Sequence, residues 1–165
     1  ADLTGEARLV DAVVKPGSRV LDAGCGPGRI AGELHRRGHR VTGVDVDPVL
    51  IEAAELDHPG PGYHVADLAE LDLGEERFDA AVCAGNVLVF VAPGTESRVL
   101  ARIAAHLVEG GKLLVGFRLD RDYALDELDG DARVARLELT QRFATWDLDP
   151  FVAGADFAVS LFRRI

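Results

Sequence analysis

The stretch Asp22-Ala-Gly24-Cys-Gly26-Pro-Gly28, set between Val20-Leu21 and Ile30-Ala-Gly-Glu-Leu34, constrains this chain more than any other. It reads as a strand ending in a carboxylate, a turn packed with glycines, and the start of a helix. Glycine permits left-handed backbone and close approach of a ligand. A helix N-terminus adds exposed N–H groups and a positive partial charge. In α/β proteins such junctions, at the carboxyl ends of strands, hold nucleotide-like ligands. The spacing here is Gly-x-Gly-x-Gly, not the Gly-x-Gly-x-x-Gly of a loop that cradles pyrophosphate. Asp22 ahead of the turn is poor company for a phosphate and good company for a cation. The turn therefore suits a ligand with an ammonium or another cationic part.

Around this turn, strand and helix patterns alternate. A helix is expected over residues 4–14, stopped by Lys15-Pro16-Gly17, then a strand over 19–23. The turn opens a helix over 28–37, which Gly38 closes at its C′ position. A second strand covers 40–46, and Asp47-Pro48 supplies an N-cap and a first-turn proline for a helix through residue 56. Strands follow at 62–67 and 77–84, then an apolar segment at 86–91. A helix is expected over 95–108, with Val99, Ile103 and Leu107 on one face and Gly110-Gly111 ending it. A fifth strand covers 112–117 and a short helix 120–130. The tail differs, with strands at 136–146 and 157–162 joined by a loop containing Asp149-Pro150 and Gly154. A hairpin after five β–α units predicts one α/β domain over 1–165, its mostly parallel sheet ending in an antiparallel strand.

Composition bounds the function. At 165 residues and 48% hydrophobic content the chain can bury a sizeable core. No apolar run approaches the ~20 residues that span a bilayer. A net charge of −10 without a basic stripe argues against nucleic acid or an anionic membrane as partner. There are two cysteines, one of them inside the glycine turn, and they make no disulfide scaffold, so a reducing cytoplasm is expected. The N-terminus has neither the basic region nor the apolar core of a signal peptide. The chain opens at Ala1 and holds no Met, so the natural N-terminus is expected to lie upstream.

Two further acids join Asp22. Asp45 ends the second strand in Gly43-Val-Asp45-Val-Asp47-Pro48, placed to take both hydroxyls of a ribose. Its plainer alternative is a turn or capping role, the role assigned to Asp47. Asp67 ends the third strand in Val65-Ala-Asp67-Leu68, where it can accept from an adenine amino group with Val46 and Leu68 flanking the ring. Alone, Asp67 is ordinary turn chemistry. Three acids at three consecutive strand ends around one glycine turn are a specific pattern.

Over nearly its whole length the chain resembles the class I S-adenosylmethionine-dependent methyltransferases. Val20-Leu-Asp22-Ala-Gly24-Cys-Gly26-Pro-Gly28 is similar to the first motif of that family, Val44-Asp45-Val46 to its ribose-binding acid, and Asp67 to its adenine-contacting acid. Phe78-Asp79-Ala80-Ala81-Val82 is similar to its fourth strand, and Leu107-Val-Glu-Gly110-Gly111-Lys-Leu113 to the run into its fifth. The terminal hairpin matches as well. The resemblance implies a Rossmann-like, three-layer αβα fold with a seven-stranded sheet. It implies S-adenosylmethionine as cofactor, its methionine part on the glycine turn, and direct methyl transfer to a small-molecule acceptor. Asp22, Gly24, Cys25, Gly26, Gly28, Asp45, Val46, Asp67, Leu68, Gly85 and Asn86 are the residues expected to hold the cofactor. Two alternatives stand beside this reading: a module that binds the cofactor without catalysis, and a nicotinamide-dependent oxidoreductase, which needs the longer glycine spacing.

The acceptor side is less informative. Beyond the fourth strand, Cys83-Ala-Gly85-Asn86-Val-Leu-Val-Phe90 departs from the Asn-Pro-Pro-aromatic pattern of adenine-amino methyltransferases. It also lacks the metal-binding Asp of catechol-type members. Asn86 either borders the methyl-transfer site or caps the next turn. The five histidines are scattered and build no metal site, and His106 reads as a surface or packing residue. Asp120, Asp122 and Tyr123 follow the fifth strand as candidate bases or caps. Trp146 and Phe151 are expected to pack. No catalytic residue is assigned.

Overall fold

In a computed structural model that describes residues 4–165, helix α1 (Gly5–Val13) precedes strand β1 (Arg19–Ala23), and the glycine turn leads into helix α2 (Arg29–Arg36). Strand β2 (Arg40–Asp45), helix α3 (Pro48–Asp57) and strand β3 (Gly62–Val65) follow. Asp47 caps α3 as expected: its carboxylate accepts the Val49 N–H at 2.9 Å, and Pro48 takes the first helical position. After a single 3-10 turn (Leu68–Glu70) come strand β4 (Phe78–Cys83), the short helix α4 (Val87–Phe90), helix α5 (Glu96–Ala105) and strand β5 (Leu107–Arg118). Helix α6 (Leu125–Val134) and strands β6 (Leu137–Phe143) and β7 (Phe157–Arg164) complete the chain.

The seven strands form one sheet in the order β3-β2-β1-β4-β5-β7-β6. Strands β1 to β5 are parallel, while β7 runs antiparallel to both β5 and β6. Alternation along the strands feeds two cores. On one face Val20, Val41, Val82, Leu114 and Val159 pack with Val10 of α1 and Ile30 and Leu34 of α2. On the other, Leu21, Val44, Ala81, Leu113 and Val115 pack with Leu100 and Ile103 of α5 and Leu128 of α6. Each fully buried aliphatic side chain of this kind contributes about 1.5–3 kcal/mol. The α/β, three-layer, mostly parallel architecture is thus as expected. No helix among the described residues is long and apolar enough to cross a membrane.

Three expectations are corrected. The antiparallel strand does not end the sheet. Strand β7 lies inside it, because Ala158, Val159, Ser160, Leu161 and Phe162 are all buried. The more polar β6, with Glu138 and Gln141 exposed, is left at the edge. Helix α5 stops at Ala105, not at residue 108. His106 is buried and makes the exit favourable: its carbonyl accepts the Phe78 N–H at 2.8 Å, its Nε2 accepts the Leu73 N–H at 3.0 Å, and its Nδ1 bonds the Arg102 carbonyl at 2.6 Å. Leu107 then pairs with Phe78 in the sheet, and the register jumps to Lys112 opposite Ala80. Finally, the helix expected at 120–130 is α6, starting at Leu125. Asp120 pairs back with the Arg118 guanidinium at 2.8 Å and does not start a helix.

Candidate functional site

After β3 the chain crosses back over β2 and β1 to build β4 on the far side of β1, so the strand order reverses at β1/β4. That reversal opens a crevice at the carboxyl ends of the strands. A cavity of about 720 Å³ lies there. Asp22, Gly24, Cys25, Gly26, Asp45, Val46, Asp67, Leu68 and Gly85 all line it. Of the expected residues, Gly28 and Asn86 stand outside this lining.

The glycines of the turn have separate physical tasks. All three have positive φ, at 80° for Gly24, 53° for Gly26 and 88° for Gly28. A Cβ on Gly24 would collide with the side chain of Val87, so this glycine lets α4 settle onto the turn. A Cβ on Gly28 would lie 2.8 Å from the Tyr63 hydroxyl and 2.9 Å from the Ala54 Cβ, so Gly28 serves the packing of α2 on α3 and β3. A Cβ on Gly26 meets nothing within 4 Å. Gly26 is therefore the one of the three with open space beside it, and it lines the cavity.

Asp22 is 1% exposed, and its Oδ2 has no hydrogen-bond partner. Burial lifts its carboxyl to about 7, opposed by a backbone hydrogen bond from Ala31 and by the positive charge of Arg29. A buried carboxylate oxygen without a donor is costly unless a ligand supplies one. The carboxylate of Asp45 accepts the Gly26 N–H at 2.9 Å and the Asp47 N–H at 3.0 Å, one on each oxygen. Each oxygen keeps a second lone pair for a ligand hydroxyl. The turn role of Asp45 is thus present, and the two backbone N–H groups aim its carboxylate. Asp67 lies two residues beyond β3 and caps the 3-10 turn through Oδ1, which accepts the Ala69 N–H at 2.9 Å. Val46, Leu50, Ala66 and Leu68 provide apolar walls beside it. Cys25 is buried against the turn, and desolvation with the nearby charges of Asp22 and Asp45 pushes its thiol far up, so it stays protonated. Burial pushes Cys83 up to about 12. Both thiols are poor nucleophiles.

Asn86 has φ of 61°, and its Oδ1 accepts the Arg118 N–H at 2.8 Å. It ties α4 to the end of β5 and does not cap α4 with its side chain. Val87, Phe90, Val91, Ala92 and Thr95 form the far wall of the cavity. These residues and Arg29 were not singled out from sequence; a cation directly after the last glycine was the available signal for Arg29. Tyr123 bonds Asp131 at 2.7 Å and packs on Phe117, and burial pushes its hydroxyl far up. Trp146 packs over Gly116, and Phe151 lies under the Arg142 guanidinium. His39 is buried between the Ser18 N–H and Asp11, whose carboxyl it holds below its ordinary range. Among the described residues no group of three or more His, Cys, Asp or Glu side chains is arranged to hold a metal ion.

The residues present fit a nucleoside with a charged amino-acid tail: open space over Gly26, an orphaned buried oxygen on Asp22, and aimed acids at Asp45 and Asp67. Residues 20–111, more than half of the chain, match the methyltransferase domain family. This chain belongs to the S-adenosylmethionine-dependent methyltransferases. Among solved structures it is similar to a TehB-like S-adenosylmethionine-dependent methyltransferase from Corynebacterium glutamicum, 41% identical with a TM-score of 0.95, covering 99% of this chain and 89% of that one. It is also similar to 1,6-didemethyltoxoflavin-N1-methyltransferase from Burkholderia thailandensis, 27% identical with a TM-score of 0.75, covering 99% and 78%. A curated relative is magnesium-protoporphyrin O-methyltransferase of Rhodobacter capsulatus, 39% identical over 92 residues, which are 53% of this chain and 40% of that protein. The chain spans roughly half or less of the length of such curated relatives.

Proposed function

We propose that this protein transfers a methyl group from S-adenosylmethionine to a small acceptor with an apolar face. The observation that carries the reading is the set of three carboxylates, Asp22, Asp45 and Asp67, converging on one cavity around the open space at Gly26. Asp22 takes the ammonium of the cofactor, Asp45 the ribose hydroxyls, and Asp67 the adenine amino group between Val46, Leu50 and Leu68. The cofactor, when bound, supplies an electrophilic methyl for in-line attack by the acceptor. The chain supplies position and a dry wall, from Gly85, Val87, Phe90 and Val91. That wall is apolar, which favours a small acceptor with an apolar face over a nucleic acid. The Burkholderia thailandensis relative, described with bound 1,6-didemethyltoxoflavin and S-adenosylhomocysteine, supports both the cofactor and the acceptor size. Buried, free Cys25 and Cys83 support a cytoplasmic setting.

Calorimetry with S-adenosylmethionine and S-adenosylhomocysteine tests the cofactor. Both are expected to bind, and Asp45→Ala to weaken each by about 100-fold through loss of charge-assisted hydrogen bonds. No binding at millimolar ligand would overturn the reading. Turnover with a panel of small apolar acceptors separates an enzyme from a module that only holds the cofactor.

A further inference from the structure

A second cavity, of about 470 Å³, lies at the other end of the sheet. Arg77 stands directly before β4, Arg136 directly before β6, and Arg164 ends the antiparallel β7. All three line this cavity, together with Leu107, Val108 and Glu109 at the start of β5. Strand β4 runs from one cavity to the other: Arg77 precedes its first residue, and Ala84 of the first cavity follows its last, roughly 20 Å away.

The charge of this cavity runs against that of the chain, which has 28 Asp and Glu against 18 Lys and Arg. Elsewhere arginines find acids: Arg36 and Arg37 pair with Glu33, Arg98 with Glu70, Arg118 with Asp120 and Arg142 with Asp129. Among the described residues no carboxylate pairs with Arg77, Arg136 or Arg164. Two of them are held by main-chain carbonyls instead. Nη1 of Arg77 donates to Gly74 at 3.0 Å and to Glu76 at 2.7 Å, and Nη1 of Arg164 donates to Leu107. A carbonyl fixes a guanidinium without neutralising it. Nε and Nη2 of both side chains keep their donors for another partner. Arg136 occupies the position just past the end of α6 with φ of 61°, where glycine is the usual residue. Its backbone is locked there, its carbonyl accepting the Ile165 N–H at 3.0 Å. Its side chain has no protein partner.

Three guanidiniums from three separate segments, around one cavity and facing one acid, Glu109, suit a ligand with several negative oxygens. Planar forks match phosphate oxygens in pairs, and the bonds are charge-assisted. We propose that Arg77, Arg136 and Arg164 form a second binding site, for a small phosphate-bearing anion, at the end of the sheet opposite the cofactor cavity. The site is independent of the methyl-transfer reading above and requires no acceptor to be known.

Calorimetry with inorganic pyrophosphate at constant ionic strength tests it. A chain of net charge −10 has no general attraction for a small anion, so saturable binding reports a local cluster. One site per chain is expected, with orthophosphate bound about 10-fold more weakly than pyrophosphate. Arg136→Gln and Arg164→Gln should each weaken pyrophosphate by about 10-fold or more. Glu109→Gln should tighten it by about two- to threefold. Arg40→Gln, outside the cavity and of the same charge change, should leave it within about twofold. Thermal melting reports that each variant is folded, and saturating S-adenosylhomocysteine should leave pyrophosphate binding unchanged. Lack of saturable binding to the wild type at about 10 mM pyrophosphate overturns the proposal without any variant. Equal weakening by Arg40→Gln and Arg136→Gln overturns it as well, since the effect is then one of overall charge. Displacement of pyrophosphate by S-adenosylhomocysteine overturns it too, by assigning the anion to the cofactor cavity.

Discussion

The segments that follow strands β1 to β3 and the segment that follows β4 meet at one cavity and furnish it by different means. The first three bring carboxylates held by backbone N–H groups: Asp22 by Ala31, with one oxygen left without a donor, Asp45 by Gly26 and Asp47, and Asp67 by Ala69. The segment after β4 brings an apolar wall on α4 and the residues that follow it. Its place is set by distant contacts, Asn86 on Arg118 and Val87 on Gly24. One side of the site is built from backbone N–H groups that aim carboxylates and the other from apolar packing across the sheet. The first should tolerate little change in residue type. The second should respond to anything that shifts α4.

The largest expected effect separates two glycines of the same turn. Gly28→Ala places a methyl against Tyr63 and Ala54 in left-handed backbone, and should cost about 2–4 kcal/mol of stability in urea denaturation. Gly26→Ala meets no neighbour and should cost only about 1–2 kcal/mol, while S-adenosylhomocysteine binding drops steeply. Equal losses of stability would erase the distinction between packing and ligand glycines.

A smaller effect follows pH. Asp22 holds its proton to about 7 in the folded protein, against an ordinary 3.8, because burial, helped by the charges of Asp45 and Glu6, outweighs the Ala31 backbone hydrogen bond and the charge of Arg29. Because the folded state binds the extra proton, this group's contribution to stability is full below about pH 4, falls as pH rises, and is lost above about pH 7. Ligand affinity moves the other way, since an ammonium needs the carboxylate. S-adenosylhomocysteine should bind roughly tenfold more tightly at about pH 8 than at about pH 6. A flat profile would mean that Asp22 does not meet the ammonium.

The smallest effect probes the packing side. Asn86→Ala should cost about 1–2 kcal/mol, from a lost hydrogen bond and a left-handed alanine, with cofactor affinity kept within about twofold. Asn86→Asp retains the acceptor oxygen and should recover most of that stability. Loss of cofactor binding in Asn86→Ala would show that the two sides are not separable.

Much of the first side was legible because its signals are local. A glycine turn, an acid at a strand end and a proline after Asp47 each act within a few residues. The apolar wall gave no such signal: Val87 and Phe90 read as ordinary hydrophobic residues until α4 is folded over Gly24. The same limit explains α5, where helical periodicity carries Leu107 to the correct burial in the wrong element. Leu107 is buried in a helix or a strand alike, and only the pairing of His106 and Leu107 with Phe78 selects the strand.

By itself the sequence determined the alternating α/β order, the glycine turn and its acids, and with them the class of ligand, because these depend on residue type and spacing. Tertiary structure alone decided that β7 lies inside the sheet, that Gly28 packs while Gly26 stays open, and that Arg29 and Glu6 come together beside Asp22. Those outcomes depend on which surfaces compete for burial and which charges are brought within reach, and neither is a property of any short segment.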